Sequence, residues 1–418
     1  MVPSRPLRRF VAVLACTACL LLPQAPTSAV GRSPLLDGEP GSGPPTWVPP
    51  RVTAKATDVT WSDVPKGFWA GNAIDFVGAV NPWMRDFREA PDGTRPFKPD
   101  RLESRKLLAR SLVRAFAPDA EEDPDLGFSD VPADDRFFRY ANVAVALGWM
   151  TSDGDDAFRP TEPVTTRELH RALVLALGMG DLAAGADALH LRDGTKISTP
   201  KDFGTLLIGM KLGLRFNHGD ESLDVGPDSP LSRAEVAWSL YRAATTPDWM
   251  AGSLAPYATI ELPNLSAKMQ RVVSFAVGYV GYPYVWGGEW HEPAPAGYCC
   301  GFQPVGGFDC SGVTWWVMKS AVSNWDNTPP RPYKGWDLPQ RSSAQMASVG
   351  GKVKWDDLRP GDLVFYDGDG DGTVDHVNTY IGKGWAIDSG SSNAGVTITR
   401  VADNWYEDHF VRGRRILG

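Results

Sequence analysis

Three side chains in the last third of the chain, Cys310, His376 and Asp388, are of the types that a thiol nucleophile, its base and an orienting group require. Cys310 lies in Phe308-Asp309-Cys310-Ser311-Gly312-Val313-Thr314-Trp315-Trp316. Small residues crowd the turn there, and an apolar run with helical spacing continues through Val317 and Met318. The spacing predicts a helix that begins at the cysteine. A helix N-terminus carries partial positive charge and unpaired N–H groups. These stabilise a thiolate and can hold the oxyanion of a tetrahedral intermediate. On that stretch alone a buried structural cysteine is the competing reading.

The elements that must position the histidine and the aspartate read as strands. Leu358-Arg359-Pro360-Gly361-Asp362-Leu363-Val364-Phe365-Tyr366 is a turn followed by a strand. His376-Val377-Asn378-Thr379-Tyr380-Ile381-Gly382 alternates as a second strand with the histidine at its start. Trp385-Ala386-Ile387-Asp388 reads as its neighbour across a Gly-Lys-Gly turn, and such a hairpin sets residue 388 beside His376. Between the first two strands, Asp367, Asp369, Asp371, Gly372 and Asp375 follow positions 1, 3, 5, 6 and 9 of a calcium loop, with Asn378 instead of Glu at position 12. Two readings stand: a structural calcium site that fixes the loop leading into His376, and an acidic hairpin tip without metal. Upstream, Met269 to Val280 has helical spacing and runs into Pro283-Tyr284-Val285-Trp286-Gly287-Gly288.

With those motifs in hand, residues 266–418 resemble the NlpC-type family of papain-like cell-wall peptidases. The resemblance rests on Pro283-Tyr284-Val285-Trp286-Gly287-Gly288, Asp309-Cys310-Ser311-Gly312, Pro360-Gly361-Asp362-Leu363-Val364-Phe365, and His376-Val377 followed by Tyr380-Ile381-Gly382. It implies a small α+β domain in which the cysteine helix packs on an antiparallel sheet. It implies hydrolysis of peptidoglycan stem peptides, commonly between γ-D-glutamate and diaminopimelate, with no cofactor required for catalysis. By position, Cys310 is the nucleophile, His376 the base and Asp388 the third polar residue. Tyr284 lines the site, its hydroxyl near the oxyanion, while Trp286, Asp309 and Ser311 line the groove and Asp309 is a candidate partner for a substrate ammonium. The sequence departs from the family pattern in three ways. The third residue is more often histidine, His-Val-Gly has become His376-Val377-Asn378, and about twenty residues separate Gly288 from Asp309. Leu338-Pro339-Gln340-Arg341-Ser342 resembles the family's Leu-Pro-Arg-Thr-Ser with one residue displaced, which leaves the reach of Arg341 open. Two other functions fit the same fold: a non-catalytic domain that only attaches to the wall, and an amidase or acyltransferase.

Ahead of this domain the chain repeats itself. Asp63-Val64-Pro65 recurs as Asp130-Val131-Pro132, and Phe97-Lys98-Pro99 as Phe158-Arg159-Pro160. Ser104-Arg105, Thr166-Arg167-Glu168 and Ser232-Arg233-Ala234-Glu235 each read as a helix start, with Ser or Thr as N-cap. Amphipathic runs follow, such as Phe138, Ala141, Val145 and Leu147. This pattern resembles the S-layer homology (SLH) repeat in three copies, about 56–117, 123–180 and 187–246. The resemblance implies a mainly helical trefoil that binds secondary cell-wall polysaccharide, with Arg105, Arg167 and Arg233 contacting the polymer. Arginines that merely pair with neighbouring acids are the alternative.

Length, charge and cysteines set the frame. A chain of 418 residues predicts two or three domains. A net charge of -8 without a basic run excludes nucleic acid as the expected partner. Arg5, Arg8 and Arg9 precede an apolar run from Val11 to Leu22 and the small residues Thr27-Ser28-Ala29, the layout of an export signal over 1–29. A lipid attached at Cys16 or Cys19 is the alternative. No later segment reads as a membrane span, so a secreted, wall-associated protein is expected. Residues 30–55 are rich in Pro, Gly and Ser and read as a flexible spacer. The repeats then occupy 56–246, a linker 247–265 and the peptidase-like domain 266–418. Export would leave Cys299, Cys300 and Cys310, an odd count that suggests a reactive thiol. Adjacent Cys299 and Cys300 are either both free or joined in a strained vicinal disulfide.

Overall fold

The computed structural model describes residues 59–293, 303, 305–318 and 338–417. The expected export signal and spacer, with Cys16, Cys19, Cys299 and Cys300, lie outside the described residues.

The repeat part is mainly helical: α1 (Arg105–Phe116), α2 (Phe138–Ala146), α3 (Thr166–Ala176), α4 (Gly180–Asp187), α5 (Phe203–Lys211) and α6 (Arg233–Thr245). The recurring motifs have a local physical role. The Asp63 carboxylate accepts from the N–H groups of Phe97 (2.7 Å) and Lys98 (2.9 Å), and Asp130 does the same for Phe158 (2.8 Å) and Arg159 (2.7 Å). Each aspartate thereby satisfies two backbone donors at a turn where Lys98 or Arg159 takes a left-handed conformation. The segments ahead of α1, α3 and α6 bond in a closed cycle. Glu103 N–H donates to Leu231 O, Leu231 N–H to Val164 O, and Val164 N–H to Glu103 O, at 2.8–2.9 Å. Ser232 caps α6 by accepting from Glu235 N–H, as expected. The cap of α3 is Thr165, one residue before the expected Thr166, which is buried in the first turn. Ser104 makes no side-chain cap bond to α1.

The C-terminal part is built on an antiparallel sheet of β1 (Gly351–Val353), β2 (Leu363–Tyr366), β3 (His376–Gly382), β4 (Trp385–Gly390), β5 (Gly395–Arg400) and β6 (Phe410–Arg415), in the order β5-β4-β3-β2-β6-β1. Against it packs α8 (Cys310–Met318), and α7 (Ala267–Val277) packs on α8. Trp315 and Trp316 of α8 are fully buried in the same core as Phe365, Val377, Ile387 and Ile398. The apolar face of α8 therefore fixes the position of its first residue, the cysteine. Among the described residues no helix is long and apolar enough to cross a membrane.

The stretch 247–265 is ordered and binds both parts. Glu261–Leu262 pairs in parallel with His190–Leu191 of the repeat part. Tyr257 OH donates to Ile398 O of β5 at 3.2 Å, and Lys383 pairs with Glu261. Arg215 of the repeat part donates to Gly281 O at 3.1 Å, where the glycine leaves room for Leu206; a Cβ would lie 2.5 Å from that side chain.

Candidate active site

Cys310 opens α8, and Asp309 caps it: Oδ1 accepts from Gly312 N–H and from Ser311 Oγ. Gly312 is required at its position, because a Cβ there would lie 1.9 Å from Gly288 O. The close approach lets Asp309 N–H reach the same carbonyl at 3.0 Å, which ties the Gly287–Gly288 turn to the start of the cysteine helix. Arg341 completes this corner. It is buried, donates through Nη1 and Nη2 to the two Asp309 oxygens (3.1 and 3.2 Å), through Nε to Glu289 Oε2 (3.1 Å), and through Nη1 and Nη2 to Ser311 Oγ and Gly288 O. The displaced Leu-Pro-Gln-Arg-Ser motif thus reaches the site. Its arginine pairs the Asp309 charge, so this carboxylate anchors the helix start while it also lines the groove.

His376 stands at the first position of β3, and Asp388 lies on the adjacent β4, as the hairpin spacing predicts. His376 Nε2 is 2.8 Å from Asp388 Oδ1. Cys310 and His376 line the same groove, and Nδ1 is the imidazole nitrogen that Asp388 leaves unused. Burial alone would push the His376 pKa down. The Asp388 carboxylate and the charge of Cys310 outweigh it and hold the imidazole well above its usual value of 6.5. Asp388 is fully buried, which would raise its pKa, yet His376, Lys211 and Tyr406 draw it below the ordinary carboxylate value. A carboxylate in this position is tolerable because donors surround it. Tyr406 OH (2.8 Å), Asn393 Nδ2 (3.3 Å) and Thr399 Oγ1 (3.3 Å) all donate to Oδ2. Asn378 is also buried here; with its amide nitrogen turned to the carboxylate it donates to Oδ1 at 2.8 Å.

Cys310, His376 and Tyr406 face a groove of about 460 Å³, with Asp388 buried behind them. Tyr284 and Ser311 line it, and Trp286 and Trp405 are exposed along its rim at 79% and 46%, surface available for stacking on a ligand. The Tyr284 hydroxyl is held protonated, first by burial and then by the charge of Cys310. Tyr406 and Lys211 are absent from the sequence reading. Each reaches Asp388 or its partners from a distant element, and no local spacing marks them.

The acidic loop sits beside the groove. Carboxylate oxygens of Asp367, Asp369 and Asp375 lie within 4.8 Å of one another, a donor set that suits a hard cation. Asp371 is not part of that group. Asn378, placed at position 12 by the sequence, points to Asp388 and cannot serve as a ligand. The loop carboxylates also accept backbone N–H groups, Asp367 from Gly370 and Gly372 and Asp375 from Gly368.

The arginines expected to touch wall polymer divide. Arg233 is completely buried, donating to Phe97 O (2.9 Å) and paired with Glu103 (2.5 Å) and Asp86 (2.9 Å). It cannot contact a polymer; its guanidinium compensates two buried acids. Arg105 makes the corresponding bond to Phe158 O (2.7 Å) and pairs with Glu168. Arg167 forks onto the exposed Asp228 at 2.6 and 3.0 Å. Arg105 and Arg167 line one cleft of about 720 Å³, together with Arg159, Arg171, Lys201 and several acids.

A helix start bearing a thiol, set against an antiparallel sheet that carries a histidine–carboxylate pair, defines the class of the C-terminal part: a papain-like α+β domain. The chain belongs to the NlpC/P60 family, which matches residues 281–415, and it carries an S-layer homology domain matched at 127–166. Peptidoglycan endopeptidase RipB of Mycobacterium tuberculosis is 30% identical over 259 residues, 62% of this chain and 88% of that protein. Murein DD-endopeptidase MepH of Escherichia coli (strain K12) is 30% identical over 155 residues, 36% of this chain and 48% of that protein. The chain spans about half the length of the Escherichia coli relatives it matches, 48% and 46%. Among solved structures, Mycobacterium tuberculosis RipD, described as a non-catalytic NlpC/p60 domain protein adapted to peptidoglycan binding, is 28% identical with a TM-score of 0.26, covering 37% of this chain and all of that one.

Proposed function

We propose that this protein is a secreted, wall-associated cysteine endopeptidase that hydrolyses peptidoglycan stem peptides, at the γ-D-glutamyl–diaminopimelate bond. The observation that carries the reading is the buried Asp388 carboxylate 2.8 Å from His376, which lines one groove with Cys310 at a helix start. The raised His376 pKa favours an imidazolium at neutral pH, a proton held ready for the leaving amine. In the proposed mechanism the Cys310 sulfur attacks the amide carbon, and the Cys310 backbone N–H takes the oxyanion. His376 gives its proton to the leaving amine as the C–N bond breaks. Water, deprotonated by His376, then cleaves the thioester and returns the thiol. The names of the relatives support a wall peptide as substrate class. The alternative of a non-catalytic attachment domain is favoured by none of the site's geometry.

The repeats serve attachment in this reading. The closed cycle of backbone bonds between the three segments supports a trefoil, and the Arg105–Arg167 cleft is the place for a secondary cell-wall polysaccharide. Holding the enzyme on the wall raises its effective concentration at the substrate. Calcium is a structural ligand of Asp367, Asp369 and Asp375 and takes no part in the chemistry; its addition after chelation should raise the melting temperature, and Asp369→Asn should abolish that rise.

The deciding experiment is mass spectrometry of the products of purified peptidoglycan, with Cys310→Ala as control. Fragments ending in D-isoglutamate, absent with the variant, are expected. No products from either protein, while both sediment with the wall, would replace the enzyme by an attachment protein.

A further inference from the structure

Lys211 is the last residue of α5, in the repeat part, yet its ammonium ends behind the His376–Asp388 pair. Nζ donates to Thr399 Oγ1 at 2.6 Å and to Asn393 Oδ1 at 3.3 Å. Thr399 and Asn393 in turn each present a donor to Asp388 Oδ2. We propose that Lys211 is a positioning residue for the active-site carboxylate, delivered by the repeat part, which fixes the donor direction of Thr399 and Asn393 toward Asp388.

The argument is one of hydrogen-bond polarity. An ammonium has three donors and no acceptor, whereas a hydroxyl and a carboxamide can each face either way. With Lys211 on their far side, Thr399 must offer it a lone pair and Asn393 its carbonyl. The Thr399 proton and the Asn393 NH2 are then left for Asp388. Thr397 Oγ1, 3.0 Å from Thr399 Oγ1, becomes the donor of that pair, because the single Thr399 proton is already committed. Asp388 Oδ2 so receives three donors, Tyr406 being the third, and Oδ1 is left to His376 and Asn378. Without the ammonium, the Asn393 amide can turn its oxygen toward the carboxylate and the Thr399 proton can turn to Thr397. Burial lowers the Lys211 pKa to about 8 against the opposing pull of Asp388, so the side chain is cationic at neutral pH. Its place at the C-terminal end of α5 favours a cation too. The repeat part also holds the groove rim, since Glu221 Oε1 accepts from Trp286 N–H at 2.6 Å.

This inference rests on the thiol-hydrolase reading, so its test needs a readout that does not use the substrate. The full chain is prepared as wild type, Lys211→Met, Lys211→Gln, Thr399→Val and the Lys211→Met/Thr399→Val double variant. For each, kcat and KM are measured on a soluble stem-peptide fragment. The rate of Cys310 alkylation by iodoacetamide is followed on the peptide bearing it, and the melting temperature is recorded. Lys211→Met should lower kcat on the order of tenfold, as expected for a relay to a charged group, with KM within about twofold. Alkylation should slow in parallel. Lys211→Gln, which can accept as well as donate, should lose kcat to a similar degree and covers the case in which the Met variant fails to fold. The double variant should be no slower than Lys211→Met, because both act through one path. Wild-type kcat and alkylation rate in a folded Lys211 variant, or fully additive losses in the double variant, would overturn the proposal. If the wild type turns over no peptidoglycan, the alkylation series still decides it.

Discussion

Asp388→Asn changes one atom of the site and tests why a buried carboxylate stands there. Every group facing Asp388 is a donor: His376 and Asn378 at Oδ1, and Tyr406, Asn393 and Thr399 at Oδ2. An asparagine has a single acceptor. Turned one way, its NH2 meets three donors; turned the other way, it meets His376. At least one hydrogen bond is lost in either orientation, and the imidazolium loses its counter-charge. A hydrogen bond to a charged group contributes about 1.5–3 kcal/mol, so kcat should fall by about ten- to a hundredfold. The pH profile should move as well. Burial pushes the His376 pKa down and Asp388 is the first force holding it up, so removing that charge lowers it. The imidazolium is lost as pH rises through its pKa, and the alkaline limb of kcat should therefore shift to lower pH. The assay is turnover of a soluble stem-peptide fragment across the pH range, with thermal melting to establish folding. A folded variant with kcat within about threefold of wild type and an unmoved alkaline limb would refute this account of Asp388.

Other outcomes follow from the same geometry. Arg341→Met leaves Asp309 and Glu289 without their shared cation; breaking such a buried pair costs about 3–5 kcal/mol, which should appear as a large drop in denaturation midpoint. Gly312→Ala puts a Cβ against Gly288 O and should cost about 1–3 kcal/mol while moving Cys310 off the groove, so activity should fall more steeply than stability. His218 is enclosed by Asp224 and Glu235; burial opposes its protonation, but the two carboxylates raise its pKa from 6.5 to about 9. Its protonation contributes up to about 3 kcal/mol, present in full below pH ~6.5 and lost as pH rises through about 9. Chemical denaturation on either side of that window should show the loss in wild type and not in His218→Gln.

The parts of the site that local pattern encodes were legible in the sequence. The cysteine at a helix start, the histidine at a strand start and the aspartate across a Gly-Lys-Gly turn each depend on neighbours a few residues away, and all three elements are present. Asn378 stood out only as a departure from the family pattern. Its reason is spatial, since it fills the side of the carboxylate that the other donors leave. Lys211 was illegible because its partner Thr399 is 188 residues distant and a lysine at the end of an apolar helix resembles any solvated lysine. The Ser/Thr-Arg signature marked the helix starts of the repeats, but it carried no information on burial. Arg233 turned inward because Asp86 and Glu103, remote in sequence, needed a partner there. Strands β1 and β6 went unread, their partners lying far along the chain, and β5 went unread although it forms a hairpin with β4.

The ordered stretch 247–265 bears on how such a chain can be divided. A fragment starting at 266 would keep the cysteine, the histidine and the aspartate. It would leave behind Lys211, Arg215, Glu221, Tyr257 and the leucine that packs on Gly281. The seam between attachment and chemistry is therefore a shared surface, and the two halves are matched parts of one body. Swapping in a repeat array from another wall protein would need more than a linker of the right length. The borrowed array would have to bring a cation to the back of Asp388 and an acid to the amide of Trp286.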